Sequence, residues 1–280
     1  MTDPRLTPAT DTVALDNLRG VLDRAAYVPG EPKRVAVPVT DLCRAPQGKR
    51  DRQVIFGADV TLIEEREGWS FVQADIDGYC GWIRSDALID DMPNITHRVS
   101  APATHIYPEP NLKTHEIFGL TLGSRLTVVG ESGAFSELAG GGWVPTCHLS
   151  RSEAPDPGAV ALSLMGTPYL WGGNSRNGID CSGLAQASLL ACGIPCPGDS
   201  DMQEKAFPEV EGGYQRGDLL FWPGHVAIAL DGQTMIHATA YGMTVRVEYI
   251  DTAIVRINTA GDGPFLGARR PDRDKKMLFP

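Results

Sequence analysis

The chain carries six cysteines and six histidines among its 280 residues. One cysteine and two histidines stand where they could work together. Cys181 lies in Ile179-Asp-Cys-Ser-Gly183, after the Gly-rich stretch Trp171-Gly-Gly173 and before a helix pattern that runs to about Cys192. Asp180 reads as the N-cap, since its short carboxylate can accept from a backbone N–H left unpaired at the helix start. Gly193 fits the position just past the helix end, with Pro195 following. Cys181 then sits in the first helical turn, where the partial positive charge of the helix end favours thiolate over thiol. A cysteine so placed is a candidate nucleophile, although a buried structural thiol is the commoner use of the residue.

A nucleophilic thiol needs a base, and the sequence offers a hairpin with one histidine on each arm. Gly224-His225-Val-Ala-Ile-Ala-Leu230 and Thr234-Met-Ile-His237-Ala238 flank Asp231-Gly232. Side chains alternate faces along a strand, so loop length decides whether the two imidazoles meet. A two-residue loop puts them on opposite faces. A three-residue loop, Asp231 to Gln233, pairs Ala227 with His237 and puts both on one face, roughly 7–8 Å apart at Cα. The three-residue loop is therefore expected, with Gly232 or Gln233 in the left-handed region. Zinc is a rival use of Cys-His-His. It needs a fourth ligand, and Asp180 is assigned to capping. Cys192 and Cys196 have no second pair at zinc spacing and read as small buried or loop residues.

The elements around these residues fall into parts. Gly57-Ala-Asp-Val-Thr-Leu-Ile63 recurs as Gly123-Ser-Arg-Leu-Thr-Val-Val129 at an offset of 66. Trp69-Ser70 then matches Phe135-Ser136, and Gly81-Trp-Ile83 matches Gly142-Trp-Val144. Short β-branched and aromatic runs between turn residues suit two small β-barrels, at 34–92 and 95–150, after a helical or extended lead-in at 1–33. Ser152-Glu-Ala-Pro-Asp-Pro-Gly158 is the best linker. Beyond it come helix signals and then a β-rich section from about 218. The formal net charge of −10 argues against nucleic acid and anionic membrane as partners. The acidic N-terminal stretch lacks the apolar run of an export signal, so a cytoplasmic protein with reduced thiols is expected.

Together, Pro168-Tyr-Leu-Trp-Gly-Gly173, Asp180-Cys-Ser-Gly183, Arg216-Gly-Asp-Leu219, Gly224-His-Val-Ala-Ile228 and Ile236-His-Ala238 resemble the NlpC family of papain-like cell-wall cysteine peptidases. The resemblance covers about 157–275, and the two repeats before it resemble bacterial Src-homology-3-like modules. It implies a multidomain protein, two small Src-homology-3-like barrels followed by an α+β papain-like domain at 157–280. It implies Cys181 as nucleophile, His225 as general base, His237 as the orienting third residue and Tyr169 as an aid to the oxyanion site. Asp180 and Ser182 would line the cleft, Ser200 would bind substrate, and Tyr79 of the first barrel would wall off one end. Asp51 is the candidate for the substrate ammonium, at a position where this chain departs from related barrels. Members built this way resemble γ-D-glutamyl-L-diamino acid endopeptidases, which cut the bond from D-Glu to diaminopimelate in peptides with a free N-terminal L-Ala. The implied partners are small murein peptides, with no metal or organic cofactor, and the expected state is a monomer. A secreted hydrolase of intact wall and a papain-like acyltransferase are the alternatives left open.

Overall fold

The computed structural model describes residues 3–90 and 93–272; the predicted ends of the first barrel at 92 and of the catalytic domain at 280 lie outside the described residues. The chain divides into two compact units, one ending at Arg151 and one starting at Ser152.

The lead-in is mostly extended. Val13–Leu15 pairs in parallel with Ala26–Val28, and Val13, Leu15 and Val28 pack onto a core of Ile63, Phe71, Cys80 and Trp82. The repeat seen in the sequence is a repeat of backbone bonds. Glu31–Val35 pairs with Asp59–Arg66 and with Leu88–Ile89. Likewise His97–Val99 pairs with Arg125–Leu126 and with Leu149–Ser150. Gly57 and Gly123 share a left-handed turn, at φ 79° and 84°, and each donates to a fully buried valine carbonyl, Val35 at 2.8 Å and Val99 at 3.0 Å. Even a half-buried side-chain bond recurs: Ser70 to Ser85 at 2.8 Å, and Ser136 to Thr146 at 2.9 Å.

The expectation of closed barrels is corrected. The first repeat forms one seven-stranded strip that runs from the Arg50–Ile55 strand to the Leu88–Ile89 strand, and no ladder among the described residues joins its ends. The second splits into sheets of three, two and three strands around Val99, Ile106, Leu120, Leu126, Leu138 and Val144. Two-residue terminal strands and bulges such as Leu62/Glu64 leave too few aligned backbone pairs to close a ring.

The second unit stacks helices on an antiparallel sheet. The strand order is Thr244–Tyr249, Thr234–Thr239, His225–Ala229, Leu219–Trp222, Gly267–Arg269. Helix α1 is Pro157–Ser163, α2 is Cys181–Ala191, α3 is Ser200–Ala206 and α4 is Ile250–Ala260. Helices α1 and α2 pack on the sheet. α4 places Ile250, Ala253 and Ile257 against Leu220, Trp222, Ala227, Ala229 and Met235. It interrupts the section expected to be β-rich. Its apolar residues recur at helical spacing, which a reading tuned to strands passed over.

The hairpin has the three-residue loop. Ile228 pairs with Ile236 and Ala229 with Met235, and the Leu230 N–H donates to the Thr234 carbonyl, leaving Asp231 to Gln233 as the turn. The expected left-handed residue is absent there: neither Gly232 nor Gln233 has positive φ. The Asp231 carboxylate closes the turn instead, accepting from the N–H groups of Gln233 and Thr234 at 2.8 and 2.7 Å and from the Thr234 hydroxyl at 2.8 Å.

Candidate active site

The nucleophile's position follows from a loop tied around Asp180. One Asp180 oxygen caps α2, accepting from the Gly183 N–H at 2.8 Å and the Ser182 hydroxyl at 3.1 Å. The other accepts from the Gly172 N–H at 2.8 Å. Gly172 is at φ 69° to make that turn. At Gly183 a Cβ would stand 2.5 Å from the Gly173 carbonyl oxygen, so the helix approaches the loop only with glycine there. Cys181 is the first residue of α2, a helix with nine of its eleven residues buried. At the other end Cys192 is the C-cap, with Gly193 in the left-handed region and the Ile194 N–H returning to the Leu189 carbonyl at 3.0 Å.

The thiol lies against the backbone on either side of His225. Its Sγ is 3.9 Å from the Gly224 carbonyl oxygen and takes the N–H of Val226, together with those of Ser182 and Cys181 itself. The thiol points to the carbonyl, with no hydrogen bond to His225, so it must swing before it can lose its proton. Catalytic bonds are often this loose before substrate binds.

Beyond His225 the polar groups form a chain. His225 Nε2 is 2.8 Å from His237 Nδ1, and His237 Nε2 is 2.7 Å from Glu248 Oε2. His237 is fully buried. Arg256 of α4 donates to the same Glu248 oxygen at 2.6 Å and lies over the Tyr241 ring at 4.2 Å. Trp222 flanks the His225 ring at 5.7 Å.

The expected resting thiolate is corrected. Burial, with the Asp180 charge behind it, pushes the Cys181 thiol up to about 12, against the smaller opposite pull of the three N–H groups. Burial also holds His225 down to about 3 and lowers His237. The resting pair is neutral thiol and neutral imidazole. Glu248 goes the other way: against the cost of burial, the His237 and Arg256 hydrogen bonds hold it down to about 2, so it is a carboxylate.

The other candidate residues divide. Burial raises the Tyr169 hydroxyl, with the negative charges of Cys181, when ionised, and Asp180 adding to it, so it stays protonated and able to donate. Ser182 is buried on the Asp180 carboxylate, and Ser200 is the first residue of α3, also buried. Asp51 is held by Arg44 at 2.9 Å. Tyr79 is buried with Arg52 over its ring at 5.1 Å, and Arg52 pairs with buried Asp77 at 3.2 Å. Cys80, unexplained by sequence, fills that repeat's core, where burial pushes its thiol up to about 12. Arg216 and Asp218 are clamps: Arg216 holds Asp156 at the start of α1 at 2.7 Å, and Asp218 binds Arg270 at 2.7 and 2.8 Å.

Sequence reasoning missed Glu248 and Arg256. The signal for Glu248 was present. The Thr234–Thr239 and Thr244–Tyr249 strands pair Thr239 with Thr244 and Met235 with Glu248, which puts Glu248 diagonal to His237 on one face.

The NlpC/P60 family profile matches residues 166–262, the segment that holds Cys181, His225, His237 and Glu248. A bacterial dipeptidyl-peptidase Sh3 domain profile matches residues 42–88. Dipeptidyl-peptidase 6 of Lysinibacillus sphaericus is 34% identical over 230 residues, 71% of this chain and 83% of that protein. The chain belongs to the NlpC/P60 family. It is a cysteine peptidase, a hydrolase, with an Src-homology-3-like domain before its NlpC/P60 domain. A γ-D-glutamyl-L-lysine dipeptidyl-peptidase of Bacillus cereus is 27% identical over 258 residues, 79% of this chain and 75% of that protein. The crystal structure of an NlpC/P60 family protein from Bacillus cereus superposes with a TM-score of 0.73 at 22% identity, over 86% of this chain and 99% of that one, so the two share a fold. Among the described residues no helix is long and apolar enough to cross a membrane.

Proposed function

We propose that this NlpC/P60 peptidase hydrolyses the bond from the γ-carboxyl of D-Glu to a diamino acid, diaminopimelate or L-Lys, in murein peptides with a free N-terminal L-Ala. The products are L-Ala-D-Glu and the shortened peptide. The observation that carries this reading is that relatives named as dipeptidyl-peptidases, two of them for γ-D-glutamyl-L-lysine, align across most of this chain. The repeat at 95–150 is read as a second Src-homology-3-like module on the strength of its shared backbone bonds. Action on small freed peptides in the cytoplasm, by a monomer, in peptide recycling is part of the proposal.

The chemistry follows from the site. The thiol proton passes to His225, and the sulfur attacks the γ-glutamyl carbonyl. The N–H of Cys181, turned from the sulfur to the carbonyl oxygen, and Tyr169 would donate to the oxyanion; one such donor is typically worth about 3–4 kcal/mol. His225 returns the proton to the departing amine, and water hydrolyses the thioester. His237 orients His225. Ser182 and Ser200 are candidates for substrate contact in the catalytic unit, and Tyr79 is a separate candidate in the first unit; Asp180, Asp51 or another carboxylate would recognise the substrate's ammonium. If Asp51 is that carboxylate, it would take the ammonium in exchange for Arg44, whose side chain is 76% exposed.

The test incubates the protein with L-Ala-γ-D-Glu-diaminopimelate, its L-Lys counterpart, the N-acetylated forms and intact peptidoglycan, with mass spectrometry of the products. Release of L-Ala-D-Glu from the free-amine peptides alone is expected. Cleavage of intact wall in preference to peptides would support the wall-hydrolase reading instead, and transfer without hydrolysis an acyltransferase.

A further inference from the structure

We infer that Glu248, held by Arg256, is the positioning residue that fixes the tautomers of both imidazoles and leaves His225 Nδ1 bare for the Cys181 thiol. The inference rests on Cys181 and His225 being the reacting pair.

The argument follows the hydrogen bonds inward from the carboxylate. An ionised carboxylate only accepts, so the bond between Glu248 Oε2 and His237 Nε2 at 2.7 Å requires the proton on Nε2. A neutral imidazole carries one ring proton, so His237 Nδ1 is then an acceptor. His225 Nε2, 2.8 Å away, must be the donor. That leaves His225 Nδ1 with a lone pair. Among the described residues nothing else bonds to this imidazole, and the sulfur lies beside the backbone of its two chain neighbours. With the opposite tautomer at His237, two N–H groups would face each other across 2.8 Å, and a lone pair would face the carboxylate. One anion, two imidazoles away, thus decides whether the base can accept a proton.

Charged groups on every side of Glu248 fit this role. Arg256 of α4 donates at 2.6 Å, Arg246 on its own strand lies 4.0 Å from the other oxygen, and His237 donates from the neighbouring strand. Arg256 is itself held by the Tyr241 ring. The two cations keep the carboxylate ionised and aimed, because a protonated or rotated Glu248 could offer His237 a donor. When the thiol proton moves to His225 Nδ1, the imidazolium keeps its Nε2–H on His237, and His237 keeps its Nε2–H on the anion. No proton need move along the chain.

Nitrogen-15 NMR of the histidine rings near neutral pH tests this on the wild-type enzyme. Both buried rings are expected as Nε2–H tautomers; an Nδ1–H signal from His225 overturns the proposal. In Glu248→Leu the His237 ring loses its acceptor, and Nδ1–H forms of both rings should appear. kcat/KM should drop by on the order of 10²-fold or more, carried by kcat. Glu248→Gln can still present an oxygen to His237, so it should keep the wild-type tautomers and lie within about tenfold of wild-type activity. Unchanged tautomers in a folded Glu248→Leu protein, or equal losses in the two variants, would contradict the assignment. If Glu248→Leu does not fold, the wild-type spectrum and Glu248→Gln decide. The catalytic reading itself fails separately, if Cys181→Ala retains activity.

Discussion

The molecule buries two sets of polar side chains that look alike in composition and differ in how they end. In the first repeat, Arg52 and Asp77 pair at 3.2 Å under the Tyr79 ring, and the Asp77 carboxylate also accepts from the Tyr79 N–H at 3.1 Å. Every charge in that set faces its opposite, so the set is closed. In the catalytic unit, Arg256, Glu248, His237 and His225 are linked in a row that stops at the second ring nitrogen of His225. Closed sets hold a fold together; an open one stores a reactive valence. Burial without a partner is costly, so an open end persists where chemistry uses it.

The comparison predicts that the two sets fail in different ways. The largest effect is expected at the open end. Cys181→Ala or His225→Ala should cut kcat by at least about 10³-fold while the melting temperature stays within a few degrees, read by peptide cleavage and calorimetry. Substantial residual turnover would mean that the open end is not the reactive one. At the closed set the order reverses. Asp77→Ala removes a buried ion-pair partner of Arg52 and the acceptor of the Tyr79 N–H, and should cost the first unit about 3–5 kcal/mol, seen in urea unfolding, with Cys181, His225 and His237 untouched. A cost below about 1 kcal/mol would show that the pair is not buried as described.

A third effect is graded by pH. His225 is held near 3 and His237 is lowered by burial, whereas both return to about 6.5 on unfolding. As pH falls below about 6.5 the unfolded chain takes up protons that the folded one refuses. Stability is therefore full above that pH and declines below it, by up to about 1.4 kcal/mol per pH unit for each histidine. Glu248 adds the same sign lower down, its contribution present above its ordinary 4.5 and lost as pH falls through about 2. Urea midpoints between pH 7 and 4 should fall for the wild type and fall less steeply for His225→Asn. The smallest effect belongs to the repeated hydroxyl pairs. Ser70→Ala and Ser136→Ala should each cost about 1 kcal/mol, and by similar amounts, since each removes a buried hydroxyl and leaves its half-buried partner, Ser85 or Thr146, unbonded on that side.

What the sequence disclosed follows the range of the interactions. The helix start at Cys181, its cap and its glycine stop are local, and residues within a few positions specify them. The hairpin register was legible because parity leaves two outcomes, one of which separates His225 from His237. Glu248 was one hairpin further on, and the same parity argument reaches it. Arg256 was not legible, since α4 returns across the sheet only through tertiary packing of Ile250, Ala253 and Ile257. The charge state of Cys181 was misjudged for the same reason: the helix-end effect is local, while the burial that outweighs it comes from the whole unit. Closure of the barrels is likewise a property of strands far apart in the chain.

The central claim, that Cys181 is the nucleophile at the open end of the buried chain, has one direct test. The enzyme is mixed with L-Ala-γ-D-Glu-diaminopimelate, quenched in acid during turnover, digested and examined by mass spectrometry. The expected result is one L-Ala-D-Glu acyl group on the peptide that contains Cys181, absent from Cys181→Ala. An acyl group on another residue, exposed Cys147 included, or turnover by Cys181→Ala at the wild-type rate, would contradict it.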